Sequence, residues 1–159
     1  EEVSGHQAEL DKILNKIDPK FVDFRKGCWE TFEKKGVDYI GQASSSMRRL
    51  VDHIIRHLAP EEKVKTNKYF QNSPKGKDDK GNPSRKAKVL YIVKYEEKKE
   101  GHLKEMAESF EKITDGFLEQ CHNLSAWDHT PLDKHQFVLG AFIAIEGCLI
   151  SILSETTSK

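Results

Sequence analysis

The sequence is poor in cysteine, with three in 159 residues at Cys28, Cys121 and Cys148. An odd number excludes a complete internal disulfide framework, and no C-x-x-C pair supplies zinc-type spacing. Each cysteine lies among apolar neighbours in a helical pattern, which reads as three small buried hydrophobes in a reducing cytoplasm. Net charge is also absent: 26 Lys plus Arg face 26 Asp plus Glu. That balance excludes a generally basic nucleic-acid binder and leaves room for a local basic patch. No apolar run is read as approaching the ~18 residues of a membrane span, so no membrane is expected. No secretory h-region opens the chain, and no internal repeat is found. The chain begins at Glu1 rather than Met, which reads as a processed or excised domain of something longer.

What is present is helical periodicity. Hydrophobic residues make up 36% of the chain and suffice for one core, so residues 1–159 read as one domain. Leu10, Ile13, Leu14 and Ile17 share one helical face between Gly5 and Ile17. Asp18-Pro19 then reads as N-cap and first helical residue of a second helix running to about Lys35. Its stripe is Phe21, Phe24, Cys28, Trp29 and Phe32, and Gly36 stops it in the position a helix C′ residue favours. A third helix is expected from Asp38 to Leu58. Ile40, Ala43, Met47, Leu50, Val51, Ile54 and Leu58 lie on one side, with Ser45, Arg49, Asp52, His53 and Arg56 on the other. Ala59-Pro60 ends it.

Glu61 to Lys88 differs in character. It carries nine Lys/Arg against four Asp/Glu, a local excess of +5. Residues 71–84 hold two Pro, two Gly and no large apolar side chain, which predicts a solvated, mobile loop. Lys75, Lys77, Lys80, Arg85, Lys86 and Lys88 are its candidate phosphate contacts; the alternative is a loop charged only for solubility. Lys86 to Tyr95 has strand-like composition, but no second run exists to pair with it, so a helix is expected. Leu103, Met106, Phe110, Ile113, Phe117, Cys121 and Leu124 form a near-heptad stripe suited to a bundle. The last helix runs from near Asp133 to about Ser154, is the most apolar, and reads as central; Glu155 to Lys159 reads as a frayed tail. The fold class is therefore all-α: a bundle of five or six helices with a long mobile basic loop.

The candidate chemistry centres on histidine. His53 and His57 stand four apart in the manner of H-x-x-x-H, but Ile54 follows His53 where a zincin carries Glu, and no third ligand is fixed. No metal and no cofactor are expected. Arg48 and His53 make an Arg-x4-His, yet five helical residues turn about 500° and leave them about 140° apart. Arg49 and His53 are four apart and share a face, so they are the better pair. There the His would exchange protons with the 2′-hydroxyl and leaving oxygen, and the Arg would steady the phosphorane charge. The alternative is a solvated helix face with Asp52 and Arg56 as an i,i+4 ion pair. The loop from His122 to His129 supplies two further histidines before the last helix; its Asp and Thr residues could equally cap that helix.

Two stretches carry a resemblance. SSSMRRLVDHIIRHLAPEEKV looks like helical segments of predicted nucleases and abortive-infection proteins of prokaryotic defence systems, including Argonaute-associated ones. His122-Asn123, His129 and the apolar helix from Phe137 to Leu153 resemble the end of HEPN domains. These are all-α bundles, often dimeric RNases with an Arg-x4-6-His motif. Here His122 stands where that Arg would be, and the intact Arg-x4-His lies in an earlier helix. The resemblance implies a cytoplasmic antiviral defence or toxin-type domain that binds or cleaves nucleic acid, RNA above all, as a homodimer or with a partner protein. If the domain is catalytic, His129 and His122, or Arg49 and His53, would carry the acid–base chemistry. The competing reading is a non-catalytic dimerisation or docking module of a larger effector.

Overall fold

The computed structural model describes residues 2–66, 81–93, 105, 108–110, 112, 116 and 131–157. These are mostly helical, with no strand among the described residues. Helix α1 spans Glu2–Ile17 and α2 spans Pro19–Lys34. Between them Asp18 is extended, and its carboxylate accepts from the Lys20 amide at 2.9 Å, while Pro19 occupies the first helical position. The proline has no amide hydrogen to lose there, and the aspartate satisfies a donor that the helix cannot. Leu10 and Leu14 of α1 are fully buried, as are Cys28 and Phe32 of α2 to within a few per cent.

The end of α2 differs from expectation. The left-handed turn falls on Lys35, at φ 52°, rather than on Gly36. A second left-handed residue, Asp38 at φ 56°, precedes α3, Tyr39–Leu58. Aspartate tolerates this region; lysine does so at a cost of about 1–2 kcal/mol. Lys35→Gly is therefore expected to raise the free energy of unfolding by about 0.5–1 kcal/mol, after allowing for glycine's larger unfolded-state entropy. Urea titration checks this, and an unchanged or lower midpoint refutes it.

Helix α3 buries Ile40, Ala43, Met47, Leu50, Val51 and Ile54, the face its periodicity marks. It ends at Ala59, whose amide bonds Ile55 O at 2.8 Å. The chain then forms a short α4, Glu61–Lys65, at the start of the basic stretch and before the expected loop at 71–84. Two glutamates in its first turn and Lys65 in its last complement the helix dipole, and Val64 anchors it in the core. Residues 71–80 of the basic loop lie outside the described residues. At its end, Gly81 has φ 80° and Ser84 caps α5, Arg85–Ile92, by accepting from the Ala87 amide. The ambiguous run, Lys86 to Tyr95, is thus helical through Ile92, and its residues 94–95 lie outside the described residues.

Helix α6, Pro131–Thr157, starts earlier and ends later than expected. Pro131 fits a first turn, so it opens the helix instead of closing the loop, and residues 155–157 continue it rather than fraying. Helix α1 packs on α2 and α6, α2 on α3, α3 on α5 and α6, and α5 also on α4 and α6. Helices α3, α5 and α6 each pack on three others, and α6 links α1 to the α3–α5 side. Its segment His135–Ser154 has a mean hydropathy of 2.2 and is long and apolar enough to cross a membrane, which corrects the reading that no such run exists. Small residues and Glu146 interrupt the apolar sequence, yet the segment's mean stays high. Val138, Phe142, Ile145, Leu149 and Ile152 face the core, as in the central helix of a bundle. Of the stripe expected between residues 103 and 124, Phe110 lies among the described residues and is fully buried.

Candidate functional site

Helices α2 and α3 meet along an antiparallel seam that can be followed residue by residue. The Phe21 ring meets His57 edge-on at 5.6 Å, and Phe24 meets His53 at 5.9 Å. One turn further, Arg49 acts electrostatically on Cys28. Steps of three and four on α2 against four and four on α3 keep both rows in register. Arg49, His53, Arg56 and His57 all remain exposed. Arg49 and His53 therefore share one face, about 6 Å apart along the axis, with His53 steadied by Phe24 and Arg49 donating to Ser46 Oγ at 3.4 Å. An imidazole beside a guanidinium on an open helix edge can exchange a proton and offset developing phosphate charge. No group of three or more His, Cys, Asp or Glu able to hold a metal occurs among the described residues.

The other candidate residues are placed differently. Asp52 pairs with Arg85 of α5 at 2.7 Å, rather than with Arg56. The partner comes from another helix because α5 packs on α3, and the half-buried setting strengthens that pair over an exposed i,i+4 one. Lys88 reaches Glu61 at 3.5 Å, tying α5 to α4. Arg85 and Lys88 thus hold α5 in place. Lys75, Lys77, Lys80, His122 and His129 lie outside the described residues, as does the side chain of Lys86.

A further histidine escaped the sequence reading. His135, on the second turn of α6, stacks on Phe32 at 4.4 Å with the rings 12° apart. Its Nδ1 lies 3.1 Å from the Tyr39 hydroxyl, 96 residues away in sequence. Burial and the nearby Lys35 ammonium lower its pKa from the ordinary 6.5, so the neutral ring is favoured. One signal was available, a histidine in the first turns of the most apolar helix. Its partners come from α2 and the start of α3, which no spacing rule connects to it.

Against this geometry, one family comparison is decisive. Residues 14–142 match the family model described as predicted pPIWI-associating nuclease, well over half the chain. The chain belongs to this family. No curated protein and no solved structure matches it significantly. In this predicted pPIWI-associating nuclease the matched stretch contains Arg49, His53, Tyr39 and His135.

The chain also buries a charged cluster. Arg25 (4% exposed) forms a two-pronged pair with Asp11, its Nε on one carboxylate oxygen and its outer nitrogen 2.7 Å from the other. It also lies 3.4 Å from Glu146 (2% exposed), which accepts from Trp29 Nε1 at 2.6 Å. The cluster joins α1, α2 and α6 from inside. Burial pushes Glu146 up from the usual carboxylate value, Asp11 adds to that, and Trp29 and Arg25 oppose it. Burial, with Glu146 nearby, also pushes the Cys28 thiol up to about 12. Cys28 is therefore a packed hydrophobe rather than a nucleophile. It should resist iodoacetamide in the folded protein at pH 8 and react fully in denaturant; rapid native labelling, mapped by mass spectrometry, would contradict this.

Proposed function

We propose that this family member is a metal-independent, HEPN-like ribonuclease domain of a cytoplasmic antiviral defence or toxin-type system, acting with a pPIWI partner and as a homodimer. The family description supports nuclease activity and the partner. The observation that carries the chemistry is Arg49 and His53 side by side on the exposed α2–α3 seam. His53 takes the proton from a ribose 2′-hydroxyl as its oxygen bonds the adjacent phosphorus, Arg49 offsets the charge that builds there, and the P–O5′ bond breaks as the protonated His53 returns the proton to the leaving 5′-oxygen, giving a 2′,3′-cyclic phosphate and a 5′-hydroxyl. His129 and His122 are the alternative acid–base pair, and Lys75, Lys77, Lys80 and Lys86 guide the strand, while Arg85 and Lys88 hold α5. The test is RNA cleavage in EDTA by wild type, His53→Ala and His129→Ala. Equal rates in all three, including none, reject the assignment.

A second reading, a docking module, draws on one feature. Val37 is 94% exposed at the tip of the α2–α3 connection, between left-handed Lys35 and Asp38. An inactive wild type that binds its partner through that tip would select this reading.

A further inference from the structure

We propose that Arg56 holds the phosphate next to the one at Arg49 and His53 on an RNA strand, and that it is open to that phosphate because Arg85 occupies Asp52. The choice of RNA rests on the nuclease reading; the phosphate contact rests on the charges of α3.

Arg49 and Arg56 both lie on α3. The seven residues between them turn about 700°, so the two project within about 20° of each other, about 10 Å apart along the axis. His53 lies between them, and all three are exposed. The row therefore offers a cation on each side of the imidazole. The chemistry at His53 uses one of them. A strand brings further phosphates, and a second cation in line with the first meets the next.

The ion pairs decide which charges stay open. Asp52 stands four residues before Arg56, a favourable order for an i,i+4 pair that would neutralise the arginine. Instead Asp52 takes Arg85 of α5 at 2.7 Å, and no described carboxylate pairs with Arg56. Nearby acids are taken or turned away. Glu61 pairs with Lys88, and Glu30 with Lys34. On α2, Phe21 and Phe24 mark the side that meets α3. Asp23 is about 200° round from Phe21, while exposed Lys20 lies one turn before Phe24. Glu62 is exposed on α4, beyond the end of α3. The outward row of α3 thus carries Arg49 and Arg56, with Lys20 to one side, and the described residues place no free carboxylate in it.

Binding of a 2′-O-methyl oligoribonucleotide, which cannot be cleaved, to the full chain across a salt series tests this. Arg56→Ala should weaken binding severalfold and reduce the slope of log affinity against log salt by about 0.7, the share of one phosphate of a single strand. Lys26→Ala, the same charge loss on the far side of α2, should leave the slope unchanged. Arg85→Gln should also weaken binding, because Asp52 then turns to Arg56, and adding Asp52→Asn should restore it. A slope unmoved by Arg56→Ala, or moved as far by Lys26→Ala, overturns the proposal; Arg56 would then only balance the end of its helix. No binding by wild type overturns it too. A loss in Arg85→Gln that Asp52→Asn fails to restore overturns the part played by Arg85. The expected pattern with natural RNA left uncleaved supports the phosphate contact and counts against the nuclease reading alone.

Discussion

Arg25→Met is expected to lower the free energy of unfolding by about 3–5 kcal/mol, measured by urea denaturation. Arg25 is the one cation between Asp11 and Glu146 in the described cluster, and it is almost wholly buried. Removing it leaves two carboxylates close together in the interior without a counter-charge. Methionine fills much of the space, so the loss reports charge rather than a cavity. Glu146→Gln is expected to cost less than Arg25→Met. The amide oxygen still accepts from Trp29, and Arg25 keeps its two-pronged bond to Asp11. Changing Arg25 to Met and Glu146 to Leu together should cost less than the sum of the two single changes, since each removes a group the other needs. The pH dependence has a definite sign. Glu146 holds its proton more firmly when folded than when unfolded. Its contribution to stability is therefore full below the unfolded carboxylate value and is lost as pH rises through the folded one. Glu146→Gln removes that slope. An Arg25→Met variant within about 1 kcal/mol of wild type, or less harmful than Glu146→Gln, contradicts this account.

His53→Ala is expected to slow RNA cleavage by about 10²–10⁴-fold, the range for losing a general acid–base group. Arg49→Ala should cost about 10²–10³-fold, because it removes charge stabilisation and leaves the proton path. Both side chains are exposed, so their loss should leave the fold intact. The Phe24–His53 ring contact is worth about 0.5–1.5 kcal/mol, a small change in melting temperature beside a large change in rate. His57→Ala is the matched control. It removes an equivalent ring contact, with Phe21, two turns away from Arg49. If His53→Ala and His57→Ala lose the same activity in proportion to stability, the Arg49–His53 pair is only part of the seam's packing.

The helices were legible because each carries its own stripe. Leu10 and Leu14, Phe21 to Phe32, Ile40 to Ile54 and Val138 to Leu153 are buried as their periods indicate. The Asp18-Pro19 start and the helical form of α5 were equally open to a local argument. The positive φ at Lys35 was not. Glycine is the usual left-handed residue, and which of two neighbours adopts that turn depends on where α3 must begin. The Asp52 partner was missed for a related reason, since i,i+4 geometry offered Arg56 while the bundle brought Arg85 closer.

The sequence by itself determined the all-α class, the positions of the main helices, their buried faces, and the placing of Arg49 and His53 on one exposed edge. These follow from a period of 3.6 residues, which couples only residues a turn or two apart. The tertiary structure alone decided which distant groups meet: Arg25 with Asp11 and Glu146, Trp29 with Glu146 across 117 residues, and Tyr39 with His135 across 96. Those contacts depend on how α1, α2 and α3 dock around α6. Docking is set by the fit of whole faces, which no local spacing encodes.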